Sequence, residues 1–170
     1  MPLMRLIFEA SKDEKKGDAQ MPDVESLFQS YKNDVYRLAL SYTRSVTDAE
    51  DVTQTVFLKA MEQKHIVPGK ERAWLMQVAA NECRSLLRSG WWKKTAPLEE
   101  CTAAAPEGSG ILRELLALEP KYRVVLYLYY YTGAPTAEIG SLLHITQSTV
   151  TTRLSRGRLL LKERLKEEIV

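Results

Sequence analysis

Histidine and cysteine are scarce: two of each in 170 residues. His65 and His144 fall in expected turns, and Cys83 and Cys101 form neither a CxxC pair nor a metal-type spacing. A metal centre, a redox pair and a histidine-based active site therefore all lack their raw material. With no nucleophile and base brought together by any motif, an enzyme is disfavoured, and no catalytic residue, metal site, cofactor or small-molecule substrate is expected. Two isolated thiols fit a reducing cytoplasm better than a disulfide framework. Long apolar runs are also missing. Stretches such as Val124 to Tyr131 fall far short of the ~20 residues that cross a bilayer. Met1 to Phe8 leads straight into "SKDEKKGD" without a small-residue cleavage site, so no export signal is read. The expectation is a soluble chain with no direct membrane insertion.

Charge of one sign is nearly absent overall, at a net +2, but not locally. Glu71 to Lys94 has five basic and two acidic residues, a net +3; Lys121 to Val170 has eight and four, a net +4. Between them, Thr95 to Pro120 has one basic and five acidic residues, a net −4. Two basic blocks around an acidic joint suit a protein that touches a polyanion at two places, although solvated helix faces carry similar runs.

Val24, Leu27, Phe28, Tyr31, Val35, Leu38 and Tyr42 recur at steps of three and four, which predicts a helix over about 23–43. Thr47 with Glu50 predicts a capping box opening a second helix toward Gln63. Its apolar set is Ala49, Val52, Val56, Phe57 and Ala60. Pro68 and Gly69 break the pattern, and a third helix is expected over about 72–88 around Trp74, Leu75, Val78, Ala79 and Leu86. Residues 89–110 turn to Gly, Pro, Ala, Thr and Glu, which cannot bury much alone and read as a linker. Ile111, Leu112, Leu115 and Leu116 start a further helix that Pro120 interrupts. "YRVVLYLYYY" competes as a strand on β-propensity, but helical neighbours on both sides favour a helix. The expected fold class is all-α: two small helical domains joined by a flexible linker, the C-terminal one containing a helix-turn-helix.

That motif rests on "ITQSTVTTRLSRGR", which holds six hydroxyl side chains and three arginines. Thr136 is expected to cap a short helix carrying Ile139, Leu142 and Leu143, "HIT" turns the chain, and Thr146 caps a longer helix to about Glu167. Small Gly140, turn residue His144 and β-branched Val150 fit two helices crossing closely. Glycine is usual where His144 stands, and histidine tolerates positive φ better than most. At about 100° per residue, Leu154, Gly157 and Leu161 join Val150 on a buried face. Ser148, Thr152, Ser155 and Arg156 lie opposite, with Thr151 on the flank. Short hydroxyls let a backbone approach base edges, and a guanidinium can take a guanine edge or a phosphate. Arg153, Arg158, Lys162 and Arg164 suit phosphates or solvent. A merely wet helix face is the bland alternative; the turn spacing favours DNA.

These residues resemble bacterial RNA polymerase sigma factors, in particular the extracytoplasmic-function (ECF) group of the sigma-70 family. "LEPKYRVVLYLYYYTGAPTAEIGSLLHITQSTVTTRLSRGRLLLKERL", with Leu118, Pro120 and Arg123 at its entrance, is similar to the family's C-terminal domain, whose last helix reads the promoter's minus-35 element. "YKNDVYRLALSYTRSVTDAEDVTQTVFLKA" resembles the helices that dock on the polymerase clamp. "ERAWLMQVAANECRSLLRS" resembles the segment that reads and opens the minus-10 element. Thr55 stands where an acidic residue is common, and Ser85 where aspartate is common.

The resemblance implies an alternative sigma factor that binds core polymerase and directs promoter recognition and initiation, without bond-making of its own. It divides the chain into an N-terminal extension (1–20, expected to be loosely ordered), region 2 (21–90), a flexible acidic linker (91–110) threading near the polymerase channels, and region 4 (111–170). Residues 1–20 have no counterpart, and Met21-Pro22 would make a family-like start; a true extension, an upstream start codon and a cloning artefact all stay open. For the minus-35 element the implied contacts are Ser148, Thr151, Thr152, Arg153, Ser155 and Arg156. For the minus-10 element they are Lys70, Arg72, Asn81, Arg84 and Arg88. For polymerase they are Asp48, Glu50, Asp51, Gln54 and Phe57, an acidic and amide face suited to a basic partner; the carboxylates could equally serve their own helix N-terminus. Trp74 reads as core. Trp91 and Trp92 could stack on bases or simply pack over the domain end. Implied partners are the polymerase core, promoter DNA and an anti-sigma factor, in the cytoplasm and, through that partner, at the membrane. A stand-alone helix-turn-helix regulator is the alternative, but it leaves "DAEDVTQTVF" without a purpose.

Overall fold

The computed structural model describes residues 23–63, 66–89 and 110–168, and among them there is no strand. Expectations for residues 1–20, for linker residues 91–109, and for His65, Trp91, Trp92 and Cys101 lie outside the described residues.

The first half is a three-helix bundle of α1 (Val24–Thr43), α2 (Val46–Glu62) and α3 (Glu71–Arg88). Asp23 caps α1, its carboxylate accepting from the Glu25 N–H at 3.2 Å and the Ser26 hydroxyl at 2.6 Å. Arg44 ends α1 in the left-handed conformation, φ 57°. That reversal leaves Ser45 extended, so its hydroxyl, and not that of Thr47, accepts from the Asp48 N–H at 3.2 Å. The helix thus starts two residues earlier than the capping-box reading, and Thr47 lies inside the first turn. Val35, Leu38, Ala39, Val56, Phe57, Leu75, Ala79 and Cys83 are fully buried between the three helices. Burial of each large apolar side chain is worth about 1.5–3 kcal/mol.

The second half comprises α4 (Gly110–Ala117), α5 (Pro120–Leu126) with a π-helical turn at Tyr127–Tyr131, α6 (Thr136–Leu143) and α7 (Gln147–Glu168). Pro120 opens α5, where a missing N–H is harmless. Val124 to Leu128 are all buried because α1 and α7 both pack against this segment. An unbroken apolar run here marks a helix covered on several sides, and the strand alternative is excluded. The wider π turn closes with Gly133 at φ 68°. Gly157 lets α7 cross α5: an added Cβ would lie 3.0 Å from Leu126 Cδ1.

The halves share one continuous core. At their junction the guanidinium of Arg123, 4% exposed, reaches main-chain carbonyls of both. No helix among the described residues is long and apolar enough to cross a membrane.

Candidate nucleic-acid interface

Helices α6 and α7 meet at a tight turn. His144 takes the left-handed conformation, φ 54°, and the Ile145 N–H bonds the Gly140 carbonyl at 3.0 Å. A Cβ on Gly140 would sit 2.8 Å from the Ile145 carbonyl oxygen, so the small residue is dictated by the turn. The Thr146 hydroxyl accepts from the Thr149 N–H at 3.2 Å, capping α7 as expected. Pro135 occupies the cap position of α6, not Thr136. The Thr136 hydroxyl instead accepts from Gln147 Nε2 at 2.8 Å, tying the starts of the two helices together.

Val150, Leu154 and Gly157 are buried, and Ser148, Thr151, Thr152, Ser155 and Arg156 are exposed along the opposite face of α7. Thr151 and Thr152 donate back to the carbonyls of Gln147 and Ser148 at 3.1 and 2.9 Å, which holds their rotamers and leaves lone pairs free to accept. Half-buried Arg153 and exposed Arg156 line a shallow cleft with Lys121, Tyr122, Ser148, Thr149 and Thr152. Lys121 and Tyr122 were not among the sequence-derived contacts, since only the α5–α7 crossing brings them beside α7. Arg158 is tied down elsewhere: its Nε donates to the Tyr130 hydroxyl at 2.7 Å, and its guanidinium lies 5.4 Å from the Tyr129 and Tyr130 ring centres. Arg164 pairs with Glu114 at 3.5 Å.

The basic residues of α3 are divided. Lys70 and Arg88 are exposed at its two ends, whereas Arg72 Nε donates to Asp34 on α1 at 2.9 Å. Arg84 donates from Nη2 to the Asn81 side-chain oxygen and from Nη1 to the Leu143 carbonyl at 2.8 Å. Gln77, absent from the sequence-derived set, donates to the Leu142 carbonyl at 3.2 Å and lies 3.2 Å from His144 Nε2.

A third surface is a groove between α2 and α3 lined by Asp48, Asp51, Val52, Thr55, Glu82, Ser85, Leu86 and Ser89. Glu50 and Asp51 are exposed, Asp48 and Gln54 half-buried. Glu82, which the sequence reading passed over, pairs with Lys59 at 2.5 Å. Phe57 requires a correction. It is 0% exposed, edge-on to Phe28 at 5.0 Å, and so belongs to the core and cannot meet a partner directly. Cys83 and Tyr42 are buried beside one another, and loss of solvent pushes the pKa of each well above its ordinary value.

The fold and these faces define a helix-turn-helix protein with a second helical half that carries an acidic groove. The sigma-70 region 2 family model matches residues 27–93, and the sigma-70 region 4 model matches residues 110–161. The ECF RNA polymerase sigma factor SigW of Bacillus subtilis is 29% identical over 182 residues, spanning 92% of this chain and 95% of the relative. SigL of Mycobacterium tuberculosis is 31% identical over 147 residues, 77% and 82% of the respective chains. Among solved structures, the sigma factor RpoE of Bartonella quintana, in complex with the anti-sigma factor NepR, is similar with a TM-score of 0.67 at 21% identity, covering 85% of this chain and 97% of that one. CnrH, in complex with the cytosolic domain of CnrY, gives 0.65 at 21% identity over 95% and 96%. The chain belongs to the ECF group of the sigma-70 family, the alternative RNA polymerase sigma factors that direct transcription initiation at promoters.

Proposed function

We propose that the three surfaces divide the work of initiation. The exposed face of α7, from Ser148 to Arg156, enters the major groove of the minus-35 element: Ser148, Thr151, Thr152, Ser155 and Arg156 lie against base edges, and Arg153 at the backbone. Helix α3 serves the minus-10 element, with Asn81 pairing to a base edge and Lys70, Arg84 and Arg88 along the separating strands. Arg72 acts there only after leaving Asp34. The α2 surface carrying Asp48, Glu50, Asp51 and Gln54, of which Asp48 and Asp51 line the groove, docks on basic residues of the polymerase clamp. The chain has no catalytic role and works in the cytoplasm, regulated by an anti-sigma factor, as RpoE is found in complex with one.

The observation that carries this reading is the tight α6–α7 turn holding an outward row of short hydroxyls and the exposed guanidinium of Arg156 on α7, with a separate acidic groove in the first half of the chain. The test is run-off transcription with purified core polymerase on genomic fragments. Discrete transcripts that depend on the added chain are expected. Tight duplex binding without polymerase, and no transcript with it, would favour the stand-alone regulator.

A further inference from the structure

The shallow cleft beside α7 draws its two walls from different helices. Lys121 and Tyr122, at the start of α5, form one wall, and Arg153 and Arg156 of α7, with the hydroxyls between them and Ser148, form the other. Gly157 sets the approach: a Cβ there would lie 3.4 Å from the Tyr122 Cβ as well as 3.0 Å from Leu126 Cδ1, so the bare backbone lets Tyr122 ride against α7. Lys121 is thereby brought to the rim. Its ammonium lies 4.9 Å from the Tyr122 ring centre and 2.7 Å from the Glu119 carboxylate. Glu119 stands outside the cleft, and every charged side chain on its walls is cationic. Cations gathered from two helices repel one another unless an anion or solvent screens them. Arg158 and Arg164, further along α7, are by contrast occupied by Tyr130 and Glu114.

We propose that this cleft seats one phosphate of the DNA backbone at the edge of the minus-35 major groove, so that Lys121, on α5, is a DNA-contacting residue. The placement rests on the assignment of α7 to that element. At about 100° per residue, Thr149 and Arg153 lie on the flank of α7 that faces α5, beside the outward row of Ser148, Thr151 and Ser155, and Arg156 stands on the border between flank and row. With the outward row against base edges, the flank meets the wall of the groove, where the phosphodiester chain runs. Arg153 and Lys121 then close on one phosphate from two sides, while Arg156 keeps its reach to a base edge. Lys121 exchanges the Glu119 carboxylate for the phosphate. Both partners of that pair are about half exposed or more, at 47% and 65%, so the exchange costs little. An ammonium is a point charge that takes a phosphate oxygen whatever the sequence. The clamp therefore fixes the register of α7 along the groove and chooses no base.

The test uses holoenzyme assembled from core polymerase and the full chain, with core polymerase alone as background. Binding is measured to a duplex carrying the minus-35 element of a transcribed promoter and to a scrambled duplex, over a range of salt. The unaltered chain is compared with Lys121→Gln and Lys121→Arg; the side chain is exposed, so both variants should keep the urea midpoint of the unaltered chain. Lys121→Gln should weaken binding about two- to fivefold on both duplexes, as loss of an exposed ion pair gives. It should also lower the slope of log affinity against log salt by about one, and Lys121→Arg should restore that slope. Single methylphosphonates, each of which removes one phosphate charge, are then placed in turn along both strands of the promoter duplex. At one position the substitution should weaken binding of the unaltered chain and make no difference to Lys121→Gln. An unchanged salt slope in Lys121→Gln, or the same methylphosphonate pattern in both chains, would overturn the proposal. Equal affinity of the unaltered holoenzyme for the two duplexes would instead sink the minus-35 assignment, and the salt slope on the scrambled duplex would still decide whether Lys121 meets a phosphate.

Discussion

Arg156 and Arg158 stand two residues apart on α7 and meet different fates. Arg158 lies over two tyrosine rings and donates to one of their hydroxyls, while Arg156 stays exposed at the cleft beside Lys121. Arg156→Ala is therefore expected to weaken promoter binding by about 1–3 kcal/mol, selectively at one minus-35 position. Competition by fragments carrying each base there in turn checks it, and an equal loss on scrambled sequences would assign Arg156 to phosphate alone. Buried Cys83 gives a second expectation. Its pKa is raised first by loss of solvent and then by Glu82, so folding favours the neutral thiol. The unfolded thiol ionises from about pH 8.5 upward, which pulls the equilibrium toward unfolding there; Tyr42 and Tyr127, raised by burial, act likewise above about pH 10. The urea midpoint should thus decline as pH rises from 8 to 11, and Cys83 should resist thiol reagents until the chain unfolds. Single residues were unevenly legible. Phe57 fitted both the apolar stripe and the partner-facing set, and only three-dimensional burial decides between them.

Helices, by contrast, were largely visible in the pattern of apolar steps: α1, α3 and the α6–α7 pair begin and end within a residue or two of expectation. Starts are harder, because a cap depends on the conformation of the residue before it. Ser45 and Thr47 both carry a hydroxyl, and the left-handed Arg44 selects Ser45. Ser45→Ala should cost about 1 kcal/mol of stability, whereas Thr47→Ala, exposed and without a cap bond, should stay within about 0.5 kcal/mol. Equilibrium urea unfolding distinguishes them, and equal losses would restore the capping-box reading. The π turn at Tyr127–Tyr131 has no signature in spacing. It arises where buried Tyr127 and Leu128 give way to exposed Tyr129 and Tyr130, and only the packing of α5 against two neighbours shows where that change falls.

At the level of the molecule, the two-half organisation and the outward face of α7 could be read from the chain, but the contact between halves could not. Arg123 stood in the sequence as a motif residue at the entrance of the second half; nothing local says that it reaches Ser41 and Tyr42, some eighty positions away. The acidic groove draws on α2 and α3 together, so its membership also waited for the bundle. Replacing Asp51 and Gln54 together, for instance by alanine, should reduce core-polymerase capture in a pull-down while circular dichroism stays unchanged. Undiminished capture would remove that surface from the polymerase interface. The atoms that receive Arg123, Arg84 and Gln77 across the junction are all peptide oxygens. Every residue type supplies that oxygen, so side-chain drift at Ser41, Tyr42, Leu142 or Leu143 leaves the acceptors in place. Selection can then tighten or loosen the embrace by altering a few donor side chains, while the receiving helices stay free to diversify.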